Sequence, residues 1–223
     1  MSPNGPGAPA GAPALVLSAP SGAGKTSISK ALVQTWDDCL FSVSVTTRPA
    51  REHETEGLHY HFMSEPDFVA MRDAGQLLEW AEVHGHMYGT PQSNLDAARQ
   101  RGLHLILDID VQGAKQLRAK VSDAVFVFVL PPSAETLVGR LCGRGTEADE
   151  VVERRLRNAR GEMEQAFDFD YVVVNDDLER AVAEVRAITV GNVKFSLRAV
   201  DMSGTIRQLQ TRIDDILSEG FSA

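Results

Sequence analysis

One short stretch constrains this chain more than any other. The apolar run Leu15-Val16-Leu17 leads into Ala19-Pro20-Ser21-Gly22-Ala23-Gly24-Lys25-Thr26, and Ile28, Ala31, Leu32 and Trp36 then follow at roughly helical spacing. The pattern predicts strand, glycine-rich turn, helix. The turn matches G-x-x-x-x-G-K-[ST] at Gly24, Lys25 and Thr26, with Ala19 where the pattern has its first glycine. Alanine is tolerated there if it sits at the strand end with negative φ. In such a turn, backbone N–H groups from Ser21 through Gly22, Ala23, Gly24, Lys25, Thr26 and Ser27 can face phosphate oxygens, and the helix dipole favours the negative charge. Lys25 then reaches β- and γ-phosphates, and the Thr26 hydroxyl is placed for a magnesium ion. The competing reading is a glycine-rich turn with an exposed lysine; the strand before it and the helix after it argue against that.

Three further apolar runs, 103–109, 125–130 and 171–174, are each followed by a helical pattern, at Val111/Ala114/Leu117, near Ser133 and near Asp177. Strands alternating with helices predict an α/β fold with a parallel sheet covered by helices on both faces, a three-layer core. Residues 14–43, 92–135 and 169–195 form that core in this reading. The stretches 44–91 and 136–168 break the rhythm and read as insertions, and 196–223 as a helical tail. In the tail, Ile206, Leu209, Ile213 and Ile216 form a stripe that suits either a helix docked on its own domain or a subunit contact in a homo-oligomer. Residues 1–13 are almost all Gly, Pro and Ala and read as a disordered leader; they lack the basic start and apolar stretch of a secretory signal.

Composition excludes some classes. No apolar run approaches the roughly 20 residues of a membrane helix. Thirty-one acidic against 22 basic residues give a net charge of −9, which argues against a broad nucleic-acid-binding surface but leaves room for a local basic pocket. The two cysteines, Cys39 and Cys142, lie far apart in sequence and fit a reducing cytoplasm.

The chemistry-bearing residues outside the loop fall in three groups. Arg48 and Arg51, followed by Tyr60, suit bidentate capture of a phosphate with a hydroxyl donor beside it. Asp108 and Asp110 end the run His104-Leu-Ile-Leu-Asp-Ile-Asp110, at the carboxyl end of a buried strand where ligands of such sheets bind. One of them can face a magnesium ion and the other cap the next helix, Asp110 being the better capping candidate. In 140–157, Glu150–Arg154 and Glu153–Arg157 have the spacing of surface ion pairs. Arg155 instead flanks the apolar stripe Val152, Leu156, Ala159, Met163.

With these pieces in place, the chain resembles the guanylate kinase family. The matching blocks are APSGAGKT, SVTTRPAR with EGLHYHF, LLEWAEVHGHMYGT, LILDIDVQG, GRGTEADEVVERRL and VVND, in the family's order and spacing over roughly 14–190. The resemblance implies a P-loop nucleoside monophosphate kinase with a core, a GMP-binding domain over 44–91 and a helical lid over 136–168. It implies transfer of the γ-phosphate of ATP to GMP, and to dGMP as well, with Mg2+ as cofactor, in the cytoplasm, with no nucleic-acid or membrane partner.

Residue by residue, the resemblance gives Arg48, Arg51, Tyr60 and Tyr88 the GMP phosphate, and Ser44, Glu79 and Thr90 the guanine, with Asp110 contributing to that pocket. It gives Lys25, Arg140, Arg144 and Arg155 the transferring phosphoryl group, Arg144 and Asn175 the adenine, and Thr26 and Asp108, the latter through water, the metal. Guanine chemistry agrees, because a carboxylate such as Glu79 can accept from N1–H and the N2 amino group side by side. A non-catalytic module of the same fold and a kinase for another nucleoside monophosphate are the rivals. Lys25, Thr26 and the lid arginines favour an enzyme, and Glu79 favours guanine.

Overall fold

The structure is a computed structural model describing residues 12–83, 85–143, 149–193, 197–198 and 200–219. The chain begins β1 (Leu15–Ser18), α1 (Lys25–Thr35), β2 (Cys39–Phe41), β3 (Ser44–Thr46), β4 (Tyr60–Phe62) and α2 (Glu65–Asp73). It continues β5 (Leu77–Val83), β6 (His86–Pro91), α3 (Gln92–Arg101), β7 (His104–Asp108) and α4 (Val111–Lys120). It ends β8 (Val125–Leu130), α5 (Ala134–Cys142), α6 (Asp149–Glu162), a 3-10 turn, β9 (Tyr171–Val174), α7 (Leu178–Thr189) and α8 (Ser203–Glu219).

The main sheet has the order β2-β7-β1-β8-β9, and every neighbouring pair is parallel. Its strands are apolar on both faces, as a sheet buried between two helical layers requires. Leu15, Leu17, Ile106, Val127 and Val129 point to the side of α1 and α7. Val16, Leu105, Leu107, Phe126 and Phe128 point to the side of α4, α5 and α6. The α/β three-layer core expected from the apolar runs is therefore present, with strand bounds at 125–130 and 171–174 matching those runs.

A second, mixed sheet of order β4-β3-β6-β5 occupies the 44–91 stretch. Its edge strand β5 lies against α4, and the Gln116 side chain of α4 closes that edge. Its Oε1 accepts from the Trp80 N–H at 3.2 Å and its Nε2 donates to the Trp80 carbonyl at 2.7 Å. The outward backbone groups of Trp80, at the middle of an otherwise open strand edge, are thus satisfied by one side-chain amide. Lys120 adds a bond to the Leu77 carbonyl.

Helix α8 lies on α5 and α6. Ile206, Leu209 and Ile213 are buried in the core layer that holds Leu137, Leu156 and Met163. Arg160 pairs with Asp214, and Arg212 with Glu135, at its rim. The apolar stripe of the tail is covered by its own chain, so it supplies no argument for a subunit contact. At the other terminus, the Pro13 carbonyl lies 2.9 Å from His104 Nδ1 and the Ala14 carbonyl accepts from Val125 N–H. The chain is thus already held to the sheet at the end of the stretch read as leader, whose residues 1–11 lie outside those described.

Candidate active site

The carboxyl ends of β1 and β7 lie side by side, with Leu17 opposite Asp108. The turn after β1 enters α1 through Gly24, whose φ of 94° is in the left-handed region. A side chain there would be strained, and its Cβ would also fall 2.2 Å from Asn175 Nδ2. Helix α1 has no side-chain cap; the Ser27 N–H donates to the Gly24 carbonyl, and those of Lys25 and Thr26 at the helix start can face a ligand. In front lies a cleft of about 830 Å3 lined by Ser21, Gly22, Gly24, Lys25, Thr26, Ser27, Arg140 and Asn175, with Asp110 and Glu162. Ala23 is fully buried behind it.

The charged groups around the loop are engaged. Lys25 Nζ lies 2.7 Å from Asp108 Oδ1 and donates to the Ile109 carbonyl at 2.7 Å. Asp108 Oδ2 accepts from the Ser29 hydroxyl. Asp110 caps α4, with Oδ1 accepting from the Gly113 N–H at 2.7 Å. The two aspartates left open by the sequence thus divide: Asp108 turns to the phosphate loop, and Asp110 to the helix.

Arg140 donates to the carbonyls of Ala23 and Asn175. The Asn175 amide, only 6% exposed, donates to the Ala23 carbonyl at 2.8 Å. Both thus hold the loop at the Ala23 carbonyl while lining the cleft beside it. Arg155 reaches Ser21 Oγ and the Leu141 carbonyl, each at 3.4 Å. Arg154 is exposed, as the helical spacing predicts. Glu153 pairs with Arg157, whereas no ion pair joins Glu150 to Arg154 among the described residues. Arg144 lies outside the described residues.

Behind Asp110 opens a second cavity of about 270 Å3, lined by Ser44, Tyr60, Glu79, Tyr88, Asp108 and Asp110. Asp110 lines both spaces, so the two meet there. Glu79 is 5% exposed although β5 is an edge strand, because α4 covers it. Burial, opposed by a 2.5 Å hydrogen bond from the Thr90 hydroxyl and aided by the nearby Asp110 charge, raises the Glu79 carboxyl to about 7. Thr90 is fully buried and holds Glu79 without lining the cavity itself. Burial also raises the Tyr60 hydroxyl, keeping it a donor.

Arg48 sits with Nε 3.2 Å from the Tyr88 hydroxyl and both terminal nitrogens on Glu54, at 2.9 and 2.8 Å. That bidentate bond lowers the Glu54 carboxyl to about 2. The Arg51 side chain is exposed, and its backbone N–H is held by Glu54. Of the four groups implied for the acceptor phosphate, Arg48, Tyr60 and Tyr88 are thus brought together and Arg51 stands outside.

The sequence reading missed Glu54 and Glu162. Glu162 Oε2 accepts from the Ser21 N–H at 3.0 Å, and burial raises its carboxyl. Its seven-residue spacing from Arg155 puts both on one face of α6, a signal the sequence carried. Glu54 gave no periodic signal.

A guanylate kinase family model matches residues 12–190. The chain belongs to the guanylate kinase family. A guanylate kinase of Chelativorans sp. (strain BNC1) is 55% identical over 175 residues, 78% of this chain and 80% of that one. That of Geobacter metallireducens is 45% identical over 186 residues, 83% and 92% of the two chains. Among solved structures, guanylate kinase from Anaplasma phagocytophilum superposes with a TM-score of 0.67 at 32% identity, covering 94% of this chain and 96% of that one. Members of the guanylate kinase family are ATP:GMP phosphotransferases, and the strand order and phosphate loop described above are those of a P-loop fold. Among the described residues no helix is long and apolar enough to cross a membrane.

Proposed function

We propose that the chain phosphorylates GMP with ATP in the cytoplasm, the cleft at Lys25 taking ATP and the cavity at Glu79 taking GMP. The observation that carries this division is Glu79 itself. It is a buried carboxylate, fixed by Thr90, in a cavity that meets the phosphate-loop cleft at Asp110. Guanine presents two adjacent donors that one carboxylate can accept, and Ser44 lies within reach of the same cavity. Arg48, Tyr60 and Tyr88 are grouped for the acceptor phosphate, with Arg51 joining by closure of 44–91.

The acceptor oxygen of GMP is already anionic, so its attack needs no general base. The chain's task is to hold two anions in line and offset their repulsion. Lys25 leaves Asp108 for the β- and γ-phosphates, the α1 N-terminus binds phosphate oxygens, and Arg140, Arg144 and Arg155 draw in with a lid over 136–168. That closure excludes water and so limits hydrolysis of ATP.

Among the described residues no group of three or more metal-ligating side chains gathers. Thr26 in the first turn of α1 and Asp108 are hard oxygen donors at the phosphate loop. Such a set fits Mg2+ held mainly by ATP phosphates, and Thr26 and Asp108 are the residues that would help hold it. The ion supplies positive charge to those phosphates.

The test is ADP release measured with GMP, dGMP, AMP, CMP and UMP as acceptors. Turnover with the two guanine nucleotides and roughly 10⁴-fold poorer use of AMP is expected, because AMP leaves buried hydrogen bonds unmade. Comparable use of AMP would overturn the reading.

A further inference from the structure

Gly113 sits in the first turn of α4, buried, with ordinary negative φ. Its backbone does not call for glycine, and alanine in a helix is favoured by about 1 kcal/mol. What glycine supplies here is space. A Cβ at this position would lie 2.6 Å from Glu79 Oε2, 3.0 Å from Glu79 Cδ and 3.3 Å from Asp110 Oδ1. The first distance is shorter than a real Cβ contact and the other two are tight, so the carboxylate would have to give way until ordinary contact near 3.4 Å was restored.

Glu79 has little freedom to do so. Its other oxygen is clamped by the Thr90 hydroxyl at 2.5 Å, it is almost wholly buried, and the β5 backbone beneath it is tied to α4 through Gln116. The displaced carboxylate must break its bond to Thr90 or swing into the cavity that Ser44, Tyr60 and Tyr88 share. Either movement spoils a pair of hydrogen bonds whose geometry tolerates errors of only about half an ångström.

We propose that Gly113 is a positioning residue of the base site: the absence of a side chain at this point of α4 lets the Glu79 carboxylate seat against the helix where it can accept both donors of guanine. The proposal rests on the reading of Glu79 as the guanine acceptor. It adds a residue that never touches the nucleotide and acts on one substrate alone, since the phosphate loop lies on the other side of Asp110.

The experiment is a double-mutant cycle on the full-length protein with G113A, E79A and the double variant, following kcat and KM for GMP and ATP and the Tm of each. G113A should lower kcat/KM for GMP by about tenfold, mostly in KM, with KM for ATP changed less than about twofold. In the E79A background the clash partner is gone, so adding G113A should cost less than about twofold. The melts provide a second reading should the double variant be too slow to assay. G113A should lower the Tm of the parent and raise that of E79A, where the Glu79 clash is gone and the better helix propensity outweighs the slighter contact with Asp110. A G113A enzyme that melts higher than the parent and uses GMP normally overturns the proposal, as does an equal loss in both backgrounds. If instead E79A itself leaves GMP use unchanged, the guanine-reading role of Glu79 fails first, and the two failures are told apart.

Discussion

The phosphate-loop cleft and the cavity at Glu79 adjoin one another at Asp110 and are built from opposite materials. The cleft is floored by contiguous backbone between residues 19 and 27, a turn with two positive-φ glycines, a lysine and the start of an uncapped helix, and side chains such as Arg140, Glu162 and Asn175 only wall it. The cavity is made of side chains drawn from β3, β4, β5, β6 and the end of β7, and its central group is a buried acid. Backbone sites read only phosphate and charge, which nearly all nucleotides share. Selectivity for one base therefore has to come from the second region, where a misplaced carboxylate matters.

The comparison breaks first at Lys25. Lys25→Met should reduce kcat by about 10² or more, as deletion of a group stabilising transition-state charge does, while GMP binding measured by calorimetry persists. A parallel collapse of GMP affinity would mean that the two regions are not separable.

Next in size is the contrast within α6. Arg155→Ala should lower kcat by roughly tenfold or more, because Arg155 reaches the phosphate loop at Ser21, while exposed Arg154→Ala should change it less than about twofold. Equal effects in steady-state kinetics would remove the geometric distinction.

Glu79→Gln sharpens the comparison from the other side. It should lower kcat/KM for GMP by about tenfold, roughly 1.4 kcal/mol, and leave KM for ATP unchanged. The parent should also lose GMP affinity as pH falls through about 7, where Glu79 takes up a proton. The phosphate of GMP itself titrates near pH 6. That component is common to both proteins, so the difference between parent and variant isolates Glu79.

Stability runs the opposite way. A carboxyl raised from 4.5 to about 7 holds its proton in the folded state after the unfolded chain has released it. The stability this gives is full below about pH 4.5 and is lost as pH rises through 7. Glu79→Gln should therefore melt above the parent at about pH 8, with the gap closing near pH 5. A pH-independent difference in Tm would contradict the raised carboxyl.

Much of this was legible in the sequence because it depends on neighbours in the chain. The strands at 125–130 and 171–174, the helix starts near Ser133 and Asp177, the outward Arg154 and the capping role of Asp110 all follow from local spacing and short-range hydrogen bonds. The tail stripe was equally plain, but its partner was not, since amphipathicity says that a face must be covered and not by what.

The sequence by itself determined the phosphate loop, the alternation that makes the parallel sheet and, through the resemblance its ordered blocks carry, the guanylate kinase family. Only the tertiary structure decided that Glu79 on an edge strand is buried, that Glu54 grips Arg48 while Arg51 faces solvent, that Glu162 holds the loop at Ser21, and that Gly113 leaves room for a carboxylate. The reason is range. Helix, turn and cap preferences act between residues a few positions apart, whereas burial, a raised carboxyl and a steric gap are sums over atoms that chain folding brings together from distant segments.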